Sequence, residues 1–262
     1  MVEEENGPEL PLSVCIITKN EQDKLPLCLR SIQWAPEVIV VDDFSSDNTP
    51  DICHRFKNVS YSTRKFEGFG IQKNYALDLA ANEWVLNIDA DEIVTDGLQT
   101  EIRDVVSRKT PFSGFFIRRK NLWFGKYYTD SFPGSLRLFR KHNGRFNQGY
   151  VHERVLLNGE CGQLNGLLIH EPESYESFKK HYQTYVIEYG KLAARDYQQR
   201  GDRVTGLNAI WKIMLIPGLV FLREYFLKRK FMRGKAGLFV SVCSSICYHK
   251  AYVNLSRIQP KS

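Results

Sequence analysis

The sequence has no uninterrupted apolar run of the ~18 residues that a spanning helix requires, so no transmembrane segment is expected. It also lacks a cysteine framework. The six cysteines, at 15, 28, 53, 161, 243 and 247, are scattered, several of them inside apolar runs. That usage fits a reduced, cytosolic compartment. Cys243 and Cys247 would share one face of a helix, but they have no partners at ligand spacing, so a zinc site is not expected. Residues Met1 to Glu9 are acidic and contain no apolar stretch. They do not resemble a secretory leader and are expected to fray. There are no internal repeats and no low-complexity tracts. Acids are scarce towards the C-terminus. Residues 200–262 hold 12 Lys/Arg against Asp202 and Glu224 alone, a net +10, so the rest of the chain carries −4 of the overall +6. A basic tail on an acidic body calls for an anionic partner. No nucleic-acid-binding motif accompanies those cations.

What is present is an alternation of strand and helix signals. The chain has 262 residues, 43% of them hydrophobic, enough for one large domain or a domain with an appendage. Leu12 to Thr18 and Glu37 to Val41 are short, β-branched apolar runs of the kind buried on both faces of a sheet. Asn58 to Ser62 is a weaker strand signal, and Trp84 to Ile88 is a fourth. Between them, Leu25, Leu29 and Ile32 mark one helix, and Ile71, Tyr75 and Leu79 mark another. A short helix to about Phe56 is expected after a cap at Asp47 or Thr49, and a further helix spans Asp96 to Ser107. This rhythm implies right-handed crossovers and a parallel sheet, with ligands bound beyond the carboxyl ends of the strands. Strand signals follow at Gly114 to Arg119, Ser135 to Arg140 and Leu167 to His170. Helical signals cover Ser174 to Gln199, Leu207 to Met232 and Leu238 to Ile258. Charge and apolar content both shift at Gln198 to Thr205, the expected boundary.

Polar residues collect where the strands end: Thr18 to Glu21, Asp42-Asp43, and Asp89-Ala90-Asp91-Glu92. Neighbouring carboxylates repel one another unless a cation offsets them. A hard divalent ion with oxygen ligands, able to bridge a diphosphate, is the natural occupant of Asp89 and Asp91. The alternative for an isolated pair of this kind is a turn that caps the next helix. Asp42 and Asp43 can accept from a base N–H or a ribose hydroxyl. Thr18, Asn20 and Glu21 can add contacts to the same nucleotide. Lys73 can neutralise phosphate or be merely solvated. Arg137 and Arg140 face the diphosphate or are strand-surface charges. His170 is a third metal ligand, a phosphate contact or a satisfied buried histidine.

The segments SVCIITKNE, VVDDFSSDNT, GIQKNYALDLA and NIDADE, in this order, resemble the family-2 inverting glycosyltransferases over residues 12–110. With SLRLFRK, GYVHERV and HEPESYESFKKHY added, the chain is similar to the lipopolysaccharide core β-1,4-glucosyltransferase subgroup over most of its length. The resemblance implies an α/β fold of the GT-A type, a Rossmann-like, mostly parallel sheet flanked by helices, with a C-terminal helical extension. It implies a UDP-sugar donor, uracil recognition by Asp43, and Mg2+ or Mn2+ held by Asp91 with help from Asp89. The sequence departs from the family in two places. Phe44 and Asn48 stand where many relatives have glycine, and the second half has no Glu-Asp pair to serve as base motif.

Inversion needs a base that deprotonates the acceptor hydroxyl as it attacks the anomeric carbon. Glu153 is the first candidate, Asp130 the second and Glu92 the third. The alternative for Glu153 is an ion pair with Arg137 or Arg154. Trp123, Phe124, Tyr127 and Tyr128 offer an acceptor platform, or are core residues. The expected organisation is a catalytic domain over 1–200 and a basic amphipathic helical tail over 201–262. That tail either lies in the headgroup layer of a membrane or packs on the catalytic domain. The expected reaction moves a hexose, glucose by the resemblance, from a UDP-sugar to a saccharide or lipid-linked acceptor such as lipopolysaccharide core. The expected location is cytoplasmic, peripheral on the cytoplasmic face of the inner membrane. Competing classes are a nucleotidyltransferase making the nucleotide sugar, which would want a glycine-rich basic loop where TKNEQD stands, and a non-catalytic nucleotide-sugar-binding module.

Overall fold

The structure, a computed structural model, describes residues 10–123, 126–129, 133–148, 153–170, 186–206 and 208–258, with backbone alone at 123 and 126. Its first half runs β1 (Leu12–Thr18), α1 (Leu25–Ser31), β2 (Glu37–Asp42), α2 (Thr49–Cys53), β3 (Val59–Thr63), α3 (Phe69–Leu79) and β4 (Trp84–Asn87). β5 (Glu92–Val94) and α4 (Asp96–Ser107) follow. Thr95 caps α4 by accepting from Leu98 N–H at 3.3 Å. The expected capping of α2 by Asp47 or Thr49 is shifted. Asn48 occupies the cap position with no side-chain bond, and Asp47 Oδ1 accepts from Thr49 N–H at 3.0 Å.

The main sheet has the order β3-β2-β1-β4-β8-β6-β11-β5. Here β6 is Gly114–Trp123, β8 is Ser135–Arg140 and β11 is Cys161–His170; the short strand Lys126–Thr129 is β7. β1 pairs parallel with both β2 and β4, and β2 with β3, as the strand–helix rhythm requires. The sheet then changes sense. β8 runs antiparallel between β4 and β6, β11 returns parallel to β6, and β5 is antiparallel to β11. Among the described residues β6, β8 and β11 follow one another with no helix between them, so no strand–helix–strand rhythm sets their sense. Two further strands, β9 (Gly144–Phe146) and β10 (Val155–Leu157), form an antiparallel pair.

Both sheet faces are covered. Leu12, Val14, Ile16, Val38 and Val40 point to one side, against Leu25 and Leu29 of α1 and Leu98 and Ile102 of α4. Cys15, Ile39 and Val41 point to the other, against Ala76 and Leu77 of α3. Alternate residues of β1 and β2 thus serve two cores, which is why these strands read as continuous apolar runs.

The chain divides into two compact units. The first comprises residues 1–121, 129–148 and 153–171, and the second comprises 122–128, 149–152 and 172–262. Within the second, α5 (Tyr189–Gln199) packs on α7 (Gly234–Ile258) through Ala194, Tyr252 and Leu255, with the Tyr197 and Tyr252 rings stacked at 5.0 Å. α5 thus groups with the C-terminal helices, and the composition shift at 198–205 falls inside this unit. α6 (Ile216–Leu222) lies between π-helical turns at 211–215 and 223–227. Pro217, which lacks an N–H donor, sits where the first of these turns ends. Of the helix expected from Ser174, only residues from 186 onward are described. No helix among the described residues is long and apolar enough to cross a membrane.

Candidate active site

Three strand ends meet because β1 lies between β2 and β4 in the sheet. The loop after β1 is fastened to the loop after β2. Asn20, with φ +52°, accepts at Oδ1 from Ser46 N–H (2.8 Å), and its own N–H donates to Ser45 Oγ (2.7 Å). Glu21 N–H donates to Thr49 Oγ1 at 3.0 Å. Asn20 therefore spends its side-chain oxygen on joining the loops. Thr18 Oγ1 is buried with no hydrogen-bond partner among the described residues.

The two aspartates at the end of β2 have different surroundings. Asp42 is fully buried and accepts from Ser45 N–H (2.9 Å), Ser45 Oγ (2.6 Å) and Tyr61 Oη (2.6 Å). This corrects the expectation that Asp42 contacts the nucleotide: its oxygens are committed to closing the loop. Asp43 lies nearer the surface, accepting from Phe66 N–H at 3.0 Å and pairing with the exposed Lys19 at 2.5 Å. Phe44 follows with φ +51° and is 62% exposed. It holds the left-handed conformation that glycine adopts without strain, so the loop keeps a glycine-compatible path despite the substitution.

At the end of β4 the acid cluster closes on itself. Asp89 N–H donates to Glu92 Oε2 (2.9 Å), and Glu92 N–H donates to Asp89 O (3.0 Å). Glu92 is wholly buried, with Oε1 2.9 Å from Arg137 and 3.3 Å from Arg119. Burial, with Asp89 adding to it, raises its carboxyl above the ordinary value even though both arginines pull the other way. A carboxylate so enclosed is a counter-ion, which removes Glu92 as a base. Arg137 Nη2 also lies 3.3 Å from Asp89. Burial alone would lower the Arg137 guanidinium, but Glu92 and Asp89 raise it. Lys73, 5% exposed on α3, lies 3.3 Å from Asp89 and 2.7 Å from Glu153. Burial disfavours its charge, yet the two carboxylates outweigh that and raise the group. Lys73 and Arg137, both expected at phosphate, thus stand between carboxylates, because buried acids need compensation. Asp89 is held low by Lys73 and Arg137 against the opposing effect of burial. Arg140 is at the opposite end of β4, paired with Glu83 and lying over the Trp84 ring at 4.5 Å, so it faces no strand-end site.

Asp91 stands apart from that network. Its Oδ2 is 3.0 Å from His170 Nε2 and 3.8 Å from Lys24 Nζ. Burial would raise this carboxyl, and the His170 contact lowers it overall. His170 is positioned by register, opposite Glu92 across β5 and opposite Asn121 across β6, and its Nδ1 lies 3.1 Å from Asn121 Oδ1. A carboxylate oxygen and an imidazole nitrogen converging on one point, with the ring held from behind, is a donor set that fits a divalent cation. Among the described residues no third His, Cys, Asp or Glu completes such a group. Asp89, expected as a co-ligand, is turned instead towards Lys73 and Arg137.

Glu153 reaches Lys73 through α3. Asn74 of α3 exchanges two hydrogen bonds with Phe146, at 2.8 and 2.9 Å. Asn147 in turn binds Arg154 in both directions, N–H to O at 3.0 Å and Oδ1 from N–H at 2.7 Å. Gly70 permits this approach, since a Cβ there would lie 1.9 Å from Asn147 O. Glu153 thus pairs with Lys73, not with Arg137 or Arg154, the partners of the alternative reading. Asp130, His152 and Phe124 lie outside the described residues, as does the Trp123 side chain. Tyr127 is 45% exposed, and Tyr128 Oη donates to Arg233 O at 3.0 Å within the second unit. Arg119 and Asn121 escaped sequence reading because only the register of β6 brings them to the cluster, and Lys24 because it comes from the cap of α1.

The family model described as Glycosyl transferase family 2 matches residues 13–154. A lipopolysaccharide core biosynthesis glycosyltransferase, LpsC of Rhizobium meliloti, is 27% identical, over 91% of this chain and 89% of that protein. An uncharacterised glycosyltransferase of Rickettsia typhi is 26% identical, over 96% and 88% respectively. Among solved structures, the mannosyltransferase PcManGT of Pyrobaculum calidifontis, in complex with GDP-Man and Mn2+, superposes with a TM-score of 0.53 at 13% identity, over 95% of this chain and 88% of that one. S. aureus TarS residues 1–349 with UDP-GlcNAc gives 0.51 at 16%, over 91% and 89%. At these identities the structural likeness speaks for the fold, which is of the GT-A kind.

Proposed function

The chain belongs to glycosyl transferase family 2, and on that premise we propose that it transfers a hexose, glucose, from a UDP-sugar to a saccharide or lipid-linked acceptor of the lipopolysaccharide-core type, with inversion at the anomeric carbon. The observation that carries this reading is the Asp91–His170 pair, 3.0 Å apart beyond β4 and at the end of β11, in the same sheet whose β2 is followed directly by Asp43. The likeness to LpsC supports the acceptor class. The complexes of structurally similar proteins with UDP-GlcNAc and with GDP-Man and Mn2+ support a nucleotide-sugar donor and a divalent ion.

In this reading Asp43 accepts from the uracil imide, and Thr18 Oγ1, without a partner among the described residues, meets a nucleoside hydroxyl. Asp91 and His170 hold Mg2+ or Mn2+, with Asp89 beside them; the ion, when bound, supplies Lewis-acid stabilisation to the departing diphosphate. Glu92 and Arg137 keep the turn that carries Asp89 and Asp91 in one shape. Glu153, aligned by Lys73, takes the proton from the acceptor hydroxyl. The C-terminal helices bring the enzyme to the cytoplasmic surface of a membrane, where a lipid-linked acceptor is presented.

The test is diphosphate release from UDP-, GDP- and dTDP-sugars with Mn2+, with and without lipooligosaccharide. UDP-glucose with acceptor is expected to turn over fastest, and release from none of the donors would overturn the reading. Glu153→Gln is expected to lower turnover by roughly 10²- to 10⁴-fold with donor binding retained. Near-normal turnover would remove Glu153 as the base.

A further inference from the structure

The segment from 210 to 222 is nearly all apolar, broken by Lys212, and only part of it is covered. On the inner side, Pro217 O accepts from Ser245 Oγ of α7 at 2.8 Å, Ile213 O lies 2.8 Å from His249 Nδ1, and Val220 is buried. On the outer side Trp211, Met214, Leu219, Leu222 and Phe226 are each at least half exposed. The stripe continues into the turn before α7, where Leu227 is 80% exposed and Met232 73%. An open apolar surface of this extent marks an interaction site.

The charges around the stripe indicate what covers it. Residues 208–235 contain Lys212, Arg223, Lys228, Arg229, Lys230, Arg233 and Lys235 and one acid, Glu224. Glu224 is nearly buried and gathers three of those cations: Arg223 at 2.9 Å, Lys228 at 2.8 Å and Lys230 at 2.7 Å. Arg223 and Lys228 remain half exposed while making these contacts. Residues with φ +52° at Arg229 and +56° at Gly234 reverse the chain here. The cations are therefore concentrated at the turn, beside the most exposed apolar side chains. A second copy of the chain would bring equal positive charge against this surface, and a nucleic acid has no aliphatic layer to receive Leu227 and Met232. A phospholipid surface provides both components, acyl chains below and phosphates above.

Resting on the membrane reading above, we infer that the turn 227–235 is the membrane-inserting element. Leu227 and Met232 enter the acyl boundary of an anionic bilayer, and a lipid headgroup phosphate is seated on Arg223 and Lys228 at the Glu224 cluster. This narrows the contact from the whole tail to one turn and assigns it a phosphate site.

The experiment is co-sedimentation of the full chain with vesicles of phosphatidylcholine alone and of phosphatidylcholine containing phosphatidylglycerol. The wild-type chain is expected to bind the anionic vesicles and not the neutral ones. Leu227→Glu with Met232→Glu is expected to weaken binding about tenfold or more, and Arg223→Glu with Lys228→Glu to weaken it similarly. Leu227 and Met232 are 80% and 73% exposed, so that double variant should melt at the wild-type temperature. Arg223→Glu with Lys228→Glu takes two partners from the buried Glu224 and should melt lower, so Arg223→Gln with Lys228→Gln is sedimented beside it and both are checked by circular dichroism to be folded at the assay temperature. A wild-type chain that binds neither vesicle defeats the membrane reading itself. A wild-type chain that binds anionic vesicles while both double variants bind as well defeats the turn assignment alone. Equal binding to neutral vesicles defeats the anionic-lipid preference, and unchanged anionic binding by Arg223→Glu with Lys228→Glu defeats the phosphate site. Inorganic phosphate that raises the melting temperature of the wild type, but not of Arg223→Glu with Lys228→Glu, and displaces the chain from vesicles would reassign the site to free phosphate. Self-association in sedimentation velocity that is lost in Leu227→Glu with Met232→Glu would reassign the stripe to a second copy.

Discussion

Glu92 and Glu224 are both buried glutamates that collect cations, and they are shifted in opposite directions. Glu92 lies in the first unit among other acids. Arg137 serves both Glu92 and Asp89, and Lys73 serves both Asp89 and Glu153. Each of those cations is divided between two carboxylates, and with burial Glu92 is raised. Glu224 lies in the second unit and has three cations to itself. Burial alone would raise it, but Lys228, Lys230 and Arg223 bring it down to about 2. The strand-end network thus sets Asp89, Glu92 and Glu153 against Lys73, Arg119 and Arg137, whereas the turn sets one acid against three cations. The balanced cluster leaves Asp91 outside it for a metal ion, and the excess of cations at the turn suits lipid phosphate.

The largest expected effect breaks the acid-rich side. Glu92→Ala leaves Arg137 buried beside a weakened partner set, and urea unfolding should show a loss of about 3–5 kcal/mol. Asp91→Ala tests whether the metal-seeking charge resides there. Diphosphate release should fall by about 10²- to 10³-fold, on the order of 3–4 kcal/mol in the barrier, while the urea midpoint changes far less than for Glu92→Ala. A smaller effect sharpens the basic side. Because the folded Glu224 titrates near 2 against an ordinary 4.5, the stability it contributes is complete above about 4.5 and disappears as pH falls towards 2. The stability gap between wild type and Glu224→Gln should therefore close over that window, as read by circular dichroism. The smallest effect applies to both units alike. Phe44 and Arg229 each hold a left-handed φ, so Phe44→Gly and Arg229→Gly should each raise stability by roughly 0.5–1 kcal/mol in thermal unfolding.

Legibility in the sequence followed the range of the interactions. β1, β2 and β4 and their helices were read from local apolar patterns because each of these strands is buried on both faces, while β3, at the sheet edge and partly exposed, gave the weaker signal. The acids at the strand ends were found for the same reason. Asp42 was misjudged, since nothing local distinguishes an aspartate that closes a loop onto Ser45 and Tyr61 from one that faces solvent. Lys73 and Arg137 were found, but their partners were not, because Glu153 and Glu92 reach them only through tertiary packing. β5, three residues long, gives no periodic signal, and the antiparallel sense of β8 depends on sheet pairing rather than pattern. The outward face of 209–227 was legible as composition. Which side α7 covers was not.

Asp91 and His170 are 79 positions apart in the chain. β11 reaches its register beside Asn121 only after an irregularity between Gln163 and Leu167, and a one-residue slip would turn His170 to the other face. The carboxylates leave the ribosome well before the imidazole that joins them. Until β11 docks between β6 and β5, the nascent chain holds the acid cluster without that imidazole, so the last strands of the sheet set the moment at which the site becomes complete.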